Sequence, residues 1–359
     1  MRVDLLCSGS KGNACLVRHN NTKILIDCGP PSWRYLKNAM DDAGVSPDDL
    51  DALLITHSHS DHIRQLSHFT GLPVYACCAL HPKNYKKQPV TLDLRQVLPP
   101  VRFQVGDLKI LALPTSHDSG PSMGFVIKSE HEKLVYMTDT GYVPEALFGD
   151  LSDADYYIFE SNHDLEKLNQ TDRPFALKMR IASDTGHLCN QDSARILCSC
   201  MTRRTRHIVL AHLSEEANTP ELALGALFER LEYAHVHHDQ LVIEAAKQFE
   251  PLHFGEIRED DEAADETAAA YSADLSDLSD LSDLSDLTDP ADKAKNTDST
   301  SFPDRKRMLR LRLCLRLKKL LPNAHVPKPL WRVMANRHML PETKSHAFFS
   351  NRKSSHFRS

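Results

Sequence analysis

The 359-residue sequence has no apolar run long enough to cross a bilayer. It opens Met1-Arg2-Val3-Asp4-Leu5-Leu6, an apolar stretch too short for a secretory signal, so no leader and no membrane span are expected. Its nine cysteines form no spaced framework. Cys77-Cys78 and Cys198-Ser199-Cys200 lack the second pair that a zinc knuckle needs. An odd number of scattered thiols fits a reducing compartment, and a cytoplasmic location is expected. Positive charge is not in excess either: 43 Lys and Arg against 49 Asp and Glu give a formal charge of −6. Net charge therefore cannot drive binding to a polyanion, which must rely on local patches. The candidates are His81–Lys87, Lys178-Met179-Arg180 and Arg203–Arg206, each of which also reads as a solvated loop or helix face. The Gly/Ser turn Ser8–Asn13 lacks the Gly-Lys-Ser ending of a nucleotide-binding loop. Its backbone N–H groups, with Ser10 and Asn13, are candidates to meet a phosphate.

What the sequence does have is concentrated in Thr56-His57-Ser58-His59-Ser60-Asp61-His62. The run follows Ala52-Leu53-Leu54-Ile55, which reads as a buried strand. Loops after strand ends are where α/β folds place their chemistry. In extended geometry His57 and His59 face one point, and the adjacent Asp61 and His62 face a second one nearby. A single histidine at a strand end is usually structural. Four ligand-type side chains in six positions point instead to two metal ions in one cleft.

The rest of residues 1–255 reads as one globular unit. Arg2–Leu6, Cys15–Arg18 and Lys23–Asp27 are predicted strands, and Ser32–Ala43 is a helix ended by Gly44. Leu53–Thr56 is the strand feeding the histidine-rich turn, and Asp61–Phe69 a short helix. Pro73–Ala76, Val101–Phe103, Lys109–Leu113, Met123–Ser129 and Lys133–Thr138 continue as strands, the last two as a hairpin. Tyr156–Glu160, Ile208–Leu210 and a final Leu241–Ala245 complete the strands. Pro174–Ile181, Asn190–Thr202 and Thr219–Glu232 are the remaining helices. This list alone leaves the topology open.

Composition changes after residue 255. Residues 256–304 are acidic, with a period-three Asp/Leu/Ser repeat running to Asp289, and disorder is expected. Residues 305–359 are basic, and disorder is expected there too. Within them, 305–321 reads as an amphipathic helix for an anionic surface, or equally as a strand. The repeat implies repetitive coding DNA, so out-of-frame translation is a second reading of this segment; an intact mass of the native protein distinguishes the two.

The run His57-x-His59-x-Asp61-His62 behind an apolar strand resembles the signature of the metallo-β-lactamase fold. Further segments narrow the resemblance: Cys7–Asn13, Asp27-Cys28-Gly29, Thr115-Ser116-His117-Asp118, Thr138-Asp139-Thr140-Gly141, Glu160–Asp164, Gly186–Asn190 and Leu210–Glu215. In that order they closely resemble the YycJ (WalJ, VicX) branch, which is similar to RNase Z and RNase J. The resemblance covers about residues 1–250. It implies an α+β fold, the four-layer αββα sandwich, followed here by the tail. It also implies 5′-to-3′ exonuclease activity on nucleic acid, DNA ahead of RNA. Neither the inserted β-CASP domain of RNase J nor the tRNA-binding arm of RNase Z is evident. The alternatives are RNA processing, hydrolysis of another phosphodiester or ester on the same fold, and a metal-binding regulatory module without turnover. The sequence leaves the oligomeric state open.

Within that resemblance, two divalent ions need about seven ligands with one shared. His57, His59 and His117 are assigned to the first ion, and Asp61, His62 and His212 to the second. Asp139 is assigned to both. The nitrogen and oxygen donors fit Zn or Mn, with Fe a further candidate. Water between the ions would supply hydroxide near neutral pH, with Asp61 orienting or deprotonating it. His187 resembles the histidine of RNase Z that protonates the leaving oxygen. Asp27 is expected beneath the metal loop. Glu160 and Asp164 are expected to orient imidazoles, and His163 is a rival ligand or a supporting group.

Overall fold

A computed structural model of the protein describes residues 1–81, 90–236 and 240–257. Most of the His81–Lys87 patch and everything from residue 258 onward, including the repeat and the basic segment, lie outside the described residues. No helix among the described residues is long and apolar enough to cross a membrane.

The chain builds two seven-stranded sheets. The first contains β1 (Arg2–Cys7), β2 (Ala14–His19), β3 (Thr22–Ile26), β4 (Ala52–Ile55), β5 (Pro73–Ala76) and β6 (Asp93–Gln96), with β14 (Leu252–Gly255) beside β1. The second contains β7 (Val101–Val105), β8 (Leu108–Pro114), β9 (Met123–Lys128), β10 (Lys133–Met137), β11 (Tyr156–Glu160), β12 (His207–Ala211) and β13 (Val242–Ala245), in sequence order across the sheet. Residues of both sheets share one core, in which Val17, Ile26 and Leu54 meet Ile110, Phe125, Ile158 and Val209. The opposite faces alternate with these, as pleating requires. Leu16, Leu25 and Leu53 pack on Leu36, Ala39 and Met40 of helix α1 (Trp33–Asp42). Val135, Tyr157 and Leu210 pack on α6 (Asn190–Cys200) and α7 (Pro220–Tyr233). Helix, sheet, sheet and helix form the four layers expected. The shorter helices are α2 (Ser60–Ile63), α3 (Phe148–Leu151), α4 (Leu165–Gln170) and α5 (Phe175–Ile181).

Local signals explain most boundaries. The Ser32 hydroxyl accepts from Tyr35 N to start α1, and Gly44 adopts a left-handed φ of 77° just past its end. Thr219 caps α7, with Pro220 in its first turn.

Two expectations need correction, and one strand was not expected at all. Asp61–Phe69 is not one helix but the single turn α2 followed by a 3-10 turn at Leu66–His68. The helical ladder is interrupted by tertiary bonds: Asp61 O accepts from Asn13 N (2.8 Å), His62 O accepts from Cys28 N (2.7 Å), and Gln65 N donates to Cys28 O (2.9 Å). The strand Leu241–Ala245 is not the last, because β14 returns to pair antiparallel with β1. Strand β6 was also missed; all four of its residues are exposed, so it carries no apolar alternation.

Candidate metal centre

Strands β3 through β6 run parallel, as do β10 through β13, and β8 runs in the direction of β10. Their C-terminal ends deliver Asp27 after β3, His57 after β4, His117 after β8, Asp139 after β10, Glu160 at the end of β11 and His212 after β12. The two sheets are pinned together there by Met123 N donating to Thr56 O (3.0 Å). Asp27, Asp139 and His212 all take left-handed backbone, with φ of 60°, 54° and 57°. Such residues cost on the order of 1–3 kcal/mol each and persist where surrounding structure holds them. Here the conformation turns each side chain off its strand and into the cleft.

Ligand-type atoms fall into four overlapping groups, each within 4.8 Å: His57, His59 and His117; His57, His62 and Asp139; Asp61, His62 and His212; and Asp139, Glu160, His187 and His212. All seven residues assigned from the sequence to the two ions are therefore brought together. Asp139 lies between the two histidine sets. Its Oδ2 is 3.3 Å from His62 Nε2, while Oδ1 is 3.5 Å from His212 Nε2 and 3.8 Å from His117 Nε2.

Four of the imidazoles are aimed by a bond at Nδ1. His62 Nδ1 donates to Asp27 Oδ2 (2.7 Å), and Asp27 also accepts from Thr56 N (2.9 Å) and the Thr56 hydroxyl. His117 Nδ1 donates to Gly186 O (3.1 Å). His212 Nδ1 and His187 Nδ1 both donate to Glu160 Oε1, at 3.1 and 2.8 Å. Glu160 Oε2 accepts from Thr140 N (2.8 Å) and Leu188 N (3.2 Å). Nε2 of these four rings is thereby turned toward the cleft, while His59 presents Nδ1, 3.3 Å from His117 Nε2.

Charge in the cleft is unevenly held. Burial and neighbouring imidazoles hold His57 well below the ordinary imidazole range, and burial also lowers His117. Burial would lower His212 too, but Asp139 and Glu160 outweigh it and push it up to about 9. His62 is raised likewise, by Asp139, Asp27 and Asp61 against its burial. Burial would raise the Asp61 carboxyl, yet His62 and His212 hold it well below its usual range. A field that favours imidazolium favours a metal cation at the same place.

The residues fit such ions on their own chemistry. His57 Nε2, His212 Nε2 and Asp139 Oδ2 are buried polar atoms without a hydrogen-bond partner. Orphaned groups of this kind are costly unless something else satisfies them. Three of them converging on one cleft mark the place for a cation. The donors are nitrogen and oxygen throughout, which suits Zn, Mn or Fe.

Other assignments resolve less uniformly. Asn13 is buried; its amide donates to Gly9 O and lies 3.0 Å from His62 Nε2. Ser10 is exposed on the rim of that turn. Asp164 is bonded to none of the imidazoles in the four ligand groups. Its Oδ1 caps α4 by accepting from Lys167 N (2.8 Å), because the chain turns into that helix one residue later. His163 is buried outside the four ligand groups, its carbonyl accepting from Asn190 N. Residues not singled out also contribute. The Ser8 hydroxyl accepts from His212 N (2.8 Å), and Asn162 Nδ2 donates to His212 O (2.8 Å). The only trace of them in the sequence was their place within the segments Cys7–Asn13 and Glu160–Asp164.

Asp27→Asn tests the aiming bonds. It removes the charge that takes the His62 N–H and is expected to weaken metal affinity by roughly 10–100-fold. Competition titration against a chelator measures it, and an affinity unchanged within about twofold contradicts the role given to Asp27.

Residues 22–212 match the family model described as a beta-lactamase superfamily domain. The exodeoxyribonuclease YycJ of Bacillus anthracis is 34% identical over 241 residues, covering 65% of this chain and 89% of the relative. The exodeoxyribonuclease WalJ of Streptococcus pneumoniae serotype 2 is 34% identical over 244 residues, with the same coverage. The crystal structure of the metallo-beta-lactamase fold protein YhfI from Bacillus subtilis superposes with a TM-score of 0.49 at 18% identity, covering 70% of this chain and 98% of that one. The cleft at the strand ends is thus that of a chain belonging to the β-lactamase superfamily, as a metal-dependent hydrolase.

Proposed function

We propose that the chain is a dinuclear metal-dependent phosphodiesterase that degrades DNA from its 5′ end in the cytoplasm, and that residues 1–255 are its catalytic domain. The observation that carries this reading is the convergence of seven nitrogen and oxygen ligand groups on one cleft with three buried atoms left unpaired. The names of the two 34%-identical relatives support DNA as substrate.

His57, His59 and His117 would hold one ion, Asp61, His62 and His212 the other, and Asp139 both. A pair of divalent cations bound there would supply activation of water near neutral pH and neutralisation of charge on phosphoryl oxygens. The chain's own groups do the rest. Asp27, Glu160 and the Gly186 carbonyl keep three imidazoles in one tautomer. Asp61, whose Oδ2 lies 3.5 Å from His62 Nε2, stands where it can orient attacking water or take its proton. His187 is held by Glu160 through Nδ1 and is 20% exposed, so Nε2 is available to protonate a leaving oxygen at the mouth.

The test is a substrate panel on metal-loaded protein: 5′-labelled DNA, RNA, bis(p-nitrophenyl) phosphate and a lactone. Release of nucleotides from DNA 5′ ends is expected; a preference for RNA or the lactone, or no turnover, overturns the proposal. His187→Ala is expected to slow DNA hydrolysis by roughly 10²–10⁴-fold. The same change should spare bis(p-nitrophenyl) phosphate, whose leaving group departs without a proton. Equal losses on both substrates would remove His187 from the acid role.

A further inference from the structure

We infer that Arg180 takes the 5′-terminal phosphate of the substrate strand and is held ready for it by Asp118. The inference rests on the exonuclease reading above and gives it a source of polarity.

Arg180 belongs to Lys178-Met179-Arg180, one of the basic patches the sequence offers for a polyanion. In the Arg203–Arg206 patch, Arg204 and Arg206 are already committed to the fold. Arg204 and Arg206 both pair with Asp155, and Arg206 also bonds Glu132 and lies over the Tyr156 ring. Arg180 is different. Its Nε donates to Asp118 Oδ2, and its two Nη nitrogens donate to no group among the described residues. Its side chain is 56% exposed. A guanidinium aimed by one carboxylate, with its outer fork free, is arranged to meet a phosphate through two parallel N–H bonds.

Its position names the phosphate. Asp118 follows His117, and its Oδ1 is 3.7 Å from His117 Nε2. At the other side, the last turn of α5 is latched to the segment carrying His187, because His187 N donates to Ile181 O (2.9 Å). Gly186 permits the latch. A Cβ there would lie 2.2 Å from Arg180 O, so only glycine lets the two backbones touch. Arg180 therefore stands on the flank formed by His117 and His187, whose rings are 5.0 Å apart. In the proposed reaction His187 serves the leaving oxygen. Hydrolysis that leaves a 5′-phosphate on the shortened strand breaks the bond to the 3′-oxygen of the terminal nucleotide. That nucleotide, with its own 5′-phosphate, then lies on the leaving-group flank, where the free fork of Arg180 is.

The test uses the metal-loaded full-length chain and a hydrolysis-resistant oligonucleotide, with and without a 5′-phosphate, followed by fluorescence anisotropy. Wild type should bind the phosphorylated form at least about tenfold more tightly, the size expected of charged hydrogen bonds. Arg180→Ala should erase that preference while keeping the affinity for the 5′-hydroxyl form and the unfolding temperature. Arg180→Lys should restore part of it, and Asp118→Asn, which frees the guanidinium from its aim, should reduce it. A preference that survives Arg180→Ala, or a wild type without one, overturns the inference. Cleavage from 5′ ends without any phosphate preference would sink this inference alone. An Arg180-dependent preference in a protein that cleaves nothing would sink the catalytic reading and leave the phosphate site standing.

Discussion

Replacing Asp139 with alanine is expected to cut phosphodiester hydrolysis by about 10³-fold or more, the scale at which losing a group that stabilises transition-state charge is felt. Metal content should fall with it, to one ion per chain or fewer. The reason is positional. Asp139 has one oxygen toward His62 and the other toward His117 and His212, so among the described residues it is the carboxylate placed between the two histidine sets. Alanine at a φ of 54° also adds backbone strain, so Asp139→Asn is the necessary companion. Asparagine tolerates that backbone and keeps the shape but not the charge. Loss of activity and metal in both variants, with thermal unfolding near wild type for the asparagine form, identifies the carboxylate as the essential feature. Two ions retained in the alanine variant would contradict the assignment.

The second large effect is expected at Gly29. A Cβ there would sit 1.5 Å from Asp61 O and 2.0 Å from Asp61 C, inside the backbone of the metal loop. Neither partner is a flexible side-chain end, so the loop must move or the turn at Cys28–Pro30 must open. Gly29→Ala is expected to destabilise the protein by roughly 3 kcal/mol or more. That corresponds to a drop in unfolding temperature of about 6–12 °C for a domain of this size. Metal affinity should fall as well, because Asp61 and His62 ride on the displaced loop. Gly149→Ala is the control: a Cβ there meets nothing within 4 Å, so a change of no more than about 1 kcal/mol is expected. Calorimetry of both variants decides the matter; equal unfolding temperatures would show that the turn and the loop are not packed as described.

Much of the centre was readable in the sequence because its parts follow a simple rule. His57, His117, Asp139 and His212 each come just after a short apolar strand, and parallel strands bring such ends to one edge. The residues that aim the imidazoles were harder to see. Gly186 acts through its carbonyl, which any residue could supply, and Ser8 reaches His212 across 204 positions. No local pattern encodes those contacts. The same holds for the break in the expected Asp61–Phe69 helix, where local propensity lost to hydrogen bonds from Asn13 and Cys28. Strands β6 and β14 escaped because edge strands of four residues carry little alternation. The four-layer αββα arrangement came from the family resemblance and not from periodicity.

The most direct measurement is anomalous diffraction from crystals of the metal-loaded protein at the absorption edge of the bound element. The account predicts two peaks roughly 3.5–4 Å apart, with Asp139 between them, His57, His59 and His117 around one, and Asp61, His62 and His212 around the other. A single peak, or peaks away from this cleft, would contradict it.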